Sequence, residues 1–129
     1  MNGKKILIIE DDPLNMELES DLLTAAGYEV IQAVSGEEGI AAALRELPDL
    51  VLADVGLPRM SGLEATRIIK SDPRTKDIPV LIVSSYAMRE DRDKAMAAGA
   101  SGYLSKPIDT KNLLGKTAEI LALPKRMPS

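Results

Sequence analysis

Two short apolar runs in this chain end in acid. Ile6 to Ile9 is followed by Glu10, Asp11 and Asp12, and Leu50 to Ala53 is followed by Asp54. A third run, Val80 to Val83, closes on two hydroxyls, Ser84 and Ser85, and a fourth, Tyr103-Leu104, leads to Lys106. Acids brought together from two runs would crowd several negative charges within a few ångströms. Such a cluster is costly unless a cation neutralises it or the acids hold their protons. With oxygen as the only donor type, the fitting cation is hard, Mg²⁺ or Mn²⁺, and not zinc. Taken singly, each residue has a plainer reading. Asp11 or Asp12 can cap a helix, Ser84 can be a turn hydroxyl and Lys106 a surface lysine. Asp54 is harder to dismiss, because it follows four apolar residues and precedes a loop. The conjunction at four run ends points to a site.

Composition narrows the chemistry further. The 129 residues contain no His and no Cys. That excludes disulfides, thiolate nucleophiles, an imidazole base and zinc held by sulfur or imidazole. Any reaction must run on carboxylates, hydroxyls, lysines or backbone amides. Phe and Trp are absent too, so the aromatics are Tyr28, Tyr86 and Tyr103. Sixteen Lys and Arg against twenty Asp and Glu leave a net charge of −4, which argues against binding a nucleic-acid backbone. The basic start, Met1 to Lys5, precedes only four apolar residues. A secretory signal needs roughly 7–15 and a membrane span roughly 20, so a cytoplasmic protein with no membrane insertion is expected. The length suits one domain, taken as residues 1–123, with Pro124 to Ser129 read as a flexible tail.

The elements that must position these residues alternate regularly. The run Ile6–Ile9 has the unbroken, β-branched character of a strand buried on both faces. Pro13 suits a first helical turn, and Leu14, Leu18, Leu22 and Ala25 share one helical face, predicted to be the inner one. Gly27 is placed to stop that helix. Glu29 to Ala33 reads as a second strand. Ser35 with Glu38 three residues on forms a capping box for a helix to about Leu47. The third strand ends at Asp54, and a loop from Val55 to Ser61 leads to a helix over Gly62–Ser71 with Leu63, Ala65, Ile68 and Ile69 as its apolar set. After the fourth strand comes a helix from Arg89 to Ala98 stopped by Gly99, then a short fifth strand at Tyr103-Leu104. The last helix runs from about Thr110 to Leu123 behind Asp109 as N-cap, with Leu114, Ala118 and Leu121 on one face. Five strands and five helices in strict alternation require an α/β, doubly wound parallel sheet with right-handed crossovers. Such a sheet binds its ligand at the carboxyl ends of its strands, where the acids, hydroxyls and lysine lie.

These residues resemble the receiver domains of two-component response regulators. The marks are Ile9-Glu10-Asp11-Asp12, Ala53-Asp54-Val55-Gly56-Leu57-Pro58 with Met60-Ser61-Gly62, Val83-Ser84-Ser85, and Tyr103-Leu104-Ser105-Lys106-Pro107. Each is weak alone, but all four in order are highly specific, and the likeness runs from Lys5 to about Leu123. Asp12-Pro13-Leu14-Asn15-Met16, with no output domain, is most similar to the free-standing receivers of cell-division regulation. The resemblance implies a flavodoxin-like sheet of order 2-1-3-4-5, an order for which one such receiver is the general example.

The resemblance also implies a mechanism. Asp54 is then the phosphoacceptor, taking a phosphoryl group from a phosphohistidine on a histidine kinase or histidine phosphotransfer protein. Glu10 and Asp11, with Asp54 and the main-chain carbonyl of Gly56, would hold Mg²⁺, with Mn²⁺ as a substitute. Asp11 would bind directly and Glu10 through water; Asp12 lies outside the pair. Lys106 would pair with a phosphoryl oxygen, aimed by a cis bond to Pro107. Ser84 would hydrogen-bond the phosphoryl group, and Tyr103 would change rotamer as the loop moves. The face of the fourth helix, fifth strand and fifth helix would then be read by a downstream effector protein or kinase. Such a protein is no enzyme toward other molecules and acts as a monomer or weak homodimer. Ser85 stands where the family commonly has alanine and Tyr86 follows it, which bears on dephosphorylation; Gly56 offers no side chain for a polar contact. The rival within the family is a pseudo-receiver acting without phosphorylation. A small flavodoxin would need a hydroxyl-rich first loop where this one is acidic. A haloacid-dehalogenase-type phosphatase would need two Asp spaced by two after the first strand, which Asp11-Asp12-Pro13 does not supply.

Overall fold

Alternate residues of the central strands face opposite sides of one sheet, and each side is roofed by helices. The computed structural model describes residues 3–57, 59–85 and 89–122. Its elements run β1 (Lys5–Ile9), α1 (Pro13–Ala25), β2 (Glu29–Ala33), α2 (Gly36–Glu46), β3 (Leu50–Asp54), α3 (Gly62–Ser71), β4 (Val80–Ser84), α4 (Arg89–Ala97), β5 (Gly102–Ser105) and α5 (Thr110–Ala122). The sheet is all parallel in the order β2-β1-β3-β4-β5, the flavodoxin-like arrangement expected. Every residue of β3 and β4 is buried.

One core layer joins Leu7, Ile9, Val51, Ala53, Val80 and Ile82 to Ala42 and Ala43 of α2, Ile69 of α3 and Ala95 of α4. The opposite layer joins Ile6, Ile8, Leu50, Leu52, Leu81 and Val83 to Met16 and Leu23 of α1 and to Leu113 and Ile120 of α5. Unbroken apolar runs are needed because both faces of these strands lose water. The caps include Ser35 and Asp109, as the sequence predicts, and Ser61, read there only as the end of a loop. Asp12 accepts the Leu14 N–H, Ser35 and Ser61 accept from Glu38 and Glu64, and Asp109 accepts from Lys111. Gly27 and Gly99 end α1 and α4 with φ of 99° and 105°, values only glycine adopts without strain.

Three helix faces differ from expectation. The inner face of α1 is Met16, Glu19, Ser20 and Leu23, while Leu14 is 75% exposed and Leu18 47% exposed. The predicted stripe points largely to solvent. Periodicity identifies the most apolar face, and here a buried Glu and Ser disguise the face that packs. On α5 the buried set is Leu113, Thr117 and Ile120, one residue round from the predicted Leu114, Ala118 and Leu121, with Ala118 exposed. On α3 Ile68 is 40% exposed, and Thr66 takes the inner place, its hydroxyl donating to the Gly62 carbonyl at 2.7 Å. The strand expected at Tyr103-Leu104 extends from Gly102 to Ser105, and α4 ends at Ala97, one residue early. Tyr86, Pro58 and the tail 124–129 lie outside the described residues.

Candidate functional site

Parallel strands in one register bring their carboxyl ends to one edge. Asp54 ends β3 and Ser84 ends β4, while Glu10 and Lys106 are the first residues beyond β1 and β5. Lys106 lies between two carboxylates, its Nζ 3.1 Å from Asp54 Oδ2 and 3.5 Å from Glu10 Oε1. The other Asp54 oxygen, Oδ1, accepts the Gly56 N–H at 3.2 Å. Glu10 Oε2 accepts the Asp12 N–H at 3.1 Å. Glu10 is 1% exposed and Asp54 7%, whereas Asp11 stands open to solvent. Carboxylate oxygens of Glu10, Asp11 and Asp54 all lie within 4.8 Å of one another. They border a cavity of about 360 Å³ that Ser84 and Lys106 complete. A larger hollow, about 890 Å³, lies among Pro48, Asp49, Ile78 and Gly99, with none of these groups on its wall.

The electrostatics follow from burial. Desolvation pushes the Glu10 carboxyl up to about 7; the Asp12 N–H and the Lys106 charge oppose it, and the Asp54 charge adds to it. Burial alone would lower Lys106, but the charges of Asp54 and Glu10 outweigh it and hold the ammonium above its usual value. Lys106 is therefore firmly cationic and occupies the space between acids that would otherwise repel. The donor set is three carboxylates with the Gly56 main chain one residue beyond Val55. All are oxygens, two of the acids are desolvated, and one acid opens to solvent. That combination fits a hard divalent cation, and these are the residues that could hold it.

The structure brings Glu10, Asp11, Asp54, Gly56, Ser84 and Lys106 to this one cavity. Tyr103 is not on its wall. It lies half-buried on β5, with the Arg92 guanidinium carbon 5.9 Å from its ring centre. The Lys106–Pro107 peptide is cis. Two residues of the site stood in the sequence motifs without a role of their own. Asn15, in the first turn of α1, borders the cavity. Gly62 starts α3 so close to β3 that a methyl group there would overlap the main-chain carbonyl of Asp54. The signal for Gly62 was its place in Met60-Ser61-Gly62 at the start of a helix; its contact with β3 is visible only in three dimensions.

Comparison with known proteins gives one consistent likeness. Residues 6–118 match the family model of the response regulator receiver domain. The chain is 41% identical to the polar-differentiation response regulator DivK of Brucella ovis and of Brucella abortus over 111 residues, 86% of this chain and 90% of theirs. Among solved structures, the Vibrio cholerae chemotaxis protein CheY4 matches at 29% identity with a TM-score of 0.88, covering 92% of this chain and 99% of that one. The receiver domain of the Pseudomonas aeruginosa sensor histidine kinase PA1611 has a TM-score of 0.87 at 29% identity, covering 95% of this chain and all of that one. Its structure has a magnesium ion coordinated in the active site cleft.

Proposed function

This chain belongs to the response regulator receiver domain family, and from that premise we propose that it accepts a phosphoryl group on Asp54 and signals by phosphorylation-switched protein contact. The observation that carries the reading is the convergence of Asp54, Glu10 and Lys106 from three strands onto one small cavity, with Lys106 within 3.5 Å of both acids. The donor is a phosphohistidine on a histidine kinase or histidine phosphotransfer protein, since this chain has no His. An Asp54 carboxylate oxygen attacks phosphorus, the phosphorus–nitrogen bond breaks, and the imidazole leaves with its electron pair. The Gly56 N–H holds Asp54 Oδ1, so that Oδ2 is the oxygen set to react. Lys106 then moves its charge from Oδ2 to a phosphoryl oxygen. Glu10, Asp11, Asp54 and the Gly56 carbonyl would hold Mg²⁺, which supplies positive charge to the phosphoryl oxygens. A bound magnesium ion in the related PA1611 receiver supports that assignment.

Ser84, at the end of β4, donates its hydroxyl to the new phosphoryl group and draws its loop inward. Tyr103 changes rotamer in response, altering the face of α4, β5 and α5 for a downstream effector or kinase. Leu14 and Leu18 are exposed on α1, the helix whose Asn15 borders the cavity, and there the phosphodonor docks. Residues 1–123 act as one receiver, in the cytoplasm, as a monomer or weak homodimer. Among the described residues, no helix is long and apolar enough to cross a membrane.

Incubation with acetyl phosphate and Mg²⁺ tests the reading. One acid-stable, base-labile phosphoryl group per chain is expected, lost in Asp54→Asn and in the presence of EDTA. Labelling of Asp54→Asn to the wild-type level would refute the acceptor assignment. No labelling of the wild type would leave a pseudo-receiver.

A further inference from the structure

The cavity carries two polar side chains more than phosphoryl transfer uses, and one of them is half-buried in its wall. Three carboxylates serve the cation and the acceptor, and Lys106 and Ser84 serve the phosphoryl oxygens. Asp12 caps α1, its Oδ1 accepting the Leu14 N–H at 3.0 Å, and Gly56 has no side chain. Asn15 is left over. It borders the cavity half-buried, and its carboxamide makes no hydrogen bond to any described residue. An amide both donates and accepts, and being neutral it is not repelled by a phosphoryl group carrying about two negative charges. Its backbone lies in a helical turn tied by the Asp12 cap, so the group is held by a rigid element. Ser85, the other neutral polar side chain left unused, is exposed and sits on the loop that the switch would move.

We propose that Asn15 orients the water that hydrolyses the aspartyl phosphate and thereby sets the lifetime of the phosphorylated state. This rests on Asp54 being the acceptor. The water oxygen bonds to phosphorus while the bond from phosphorus to the Asp54 oxygen breaks, and that electron pair returns to the carboxylate. Both water protons leave with the product as dihydrogen phosphate. Asn15 Oδ1 accepts one O–H of the attacking water and turns its lone pair toward phosphorus. Little proton removal is needed before the loose transition state, so orientation by a neutral amide suffices.

The test follows decay of the full chain after labelling with acetyl phosphate and Mg²⁺ and removal of the donor. Asn15→Ala and Asn15→Met, the second keeping the bulk without the amide, are expected to lengthen the half-life about tenfold, the worth of one transition-state hydrogen bond. Asn15→Gln should fall between them and the wild type. Glu17→Gln, exposed on α1 and off the cavity wall, should change it less than about twofold, within the range of a surface substitution. Unchanged melting temperatures with an altered decay rate separate water orientation from a structural role. Equal decay in wild type and Asn15→Ala overturns the assignment, as does an equal lengthening by Glu17→Gln. A wild type that takes no phosphoryl group removes the acceptor reading and this one together.

Discussion

Lys106 answers to two acids at once, and its removal has two separable consequences. Without it, Glu10 and Asp54 face one another with no intervening cation. Lys106→Ala should cost about 1–2 kcal/mol in metal-free buffer, where the partly open site screens the lost attraction. Mg²⁺ should restore most of that loss while the link from phosphorylation to partner binding stays broken. Parallel melts with and without Mg²⁺, and binding to an effector, check the two effects. Glu19 is the other unusual residue. It is 1% exposed, its Oε2 has no partner among the described residues, and burial pushes its carboxyl up to about 8, with the Glu10 charge adding to the shift. Between 4.5, its ordinary value, and about 8, the folded chain keeps a proton that the unfolded chain has released. Stability from this group is thus full below pH 4.5 and is lost as the pH rises through about 8, at no more than about 1.4 kcal/mol per pH unit. Glu19→Leu should therefore raise stability by about 1–3 kcal/mol at pH 8 and less at pH 5. Urea unfolding at both pH values in metal-free buffer measures this, and an equal gain at each would contradict it.

At the scale of elements, the site depends on how closely α3 meets the end of β3 and on what α1 leaves outside. Gly62 lets the first turn of α3 lie on the Asp54 main chain. Gly62→Ala should destabilise by about 2–4 kcal/mol, since backbone, not a flexible side-chain end, must yield. It should also slow phosphorylation in the fraction that folds, because Asp54 is displaced. The α1 stripe makes the opposite prediction. Leu14→Ser with Leu18→Ser should change stability by no more than about 0.5 kcal/mol per site, as both residues are exposed. Phosphoryl transfer from a protein donor should fall at least about tenfold, and labelling by acetyl phosphate should not. Loss of both activities alike would show that the stripe does not dock the donor.

For the whole molecule, the acids gathered at one sheet edge make stability a function of bound cation. Three carboxylates within 4.8 Å carry more negative charge than Lys106 alone offsets, so Mg²⁺ should bind the folded chain alone. At one hundred times its dissociation constant it adds about 2.7 kcal/mol. A rise in melting temperature with Mg²⁺, reversed by EDTA and absent in Asp11→Asn, is the expected result. Much of this was legible beforehand. Strand ends could be located because β1, β3 and β4 are unbroken apolar runs, and helix starts because Ser35 and Asp109 are capping residues and Pro13 suits a first turn. Glu10, Asp54, Ser84 and Lys106 could be grouped because parallel strands deliver their ends to one edge. Asn15 stood within the stretch from Asp12 to Met16 but received no role, because an amide in a first helical turn has no distinctive spacing.

What the sequence determined by itself is local or topological: which runs are strands, where helices begin, and which residue types must share the carboxyl edge. These follow from nearest-neighbour backbone preferences and from the alternation of strand with helix. Only the tertiary structure decided which face of α1 and α5 turns inward and that Glu19 is buried there with Thr117. It alone showed that Gly62 abuts Asp54 and that Lys106 lies between two acids. Helix rotation is set by how whole layers pack. The sum of many small contacts outweighs the polarity of one glutamate, and no window along the chain contains that sum.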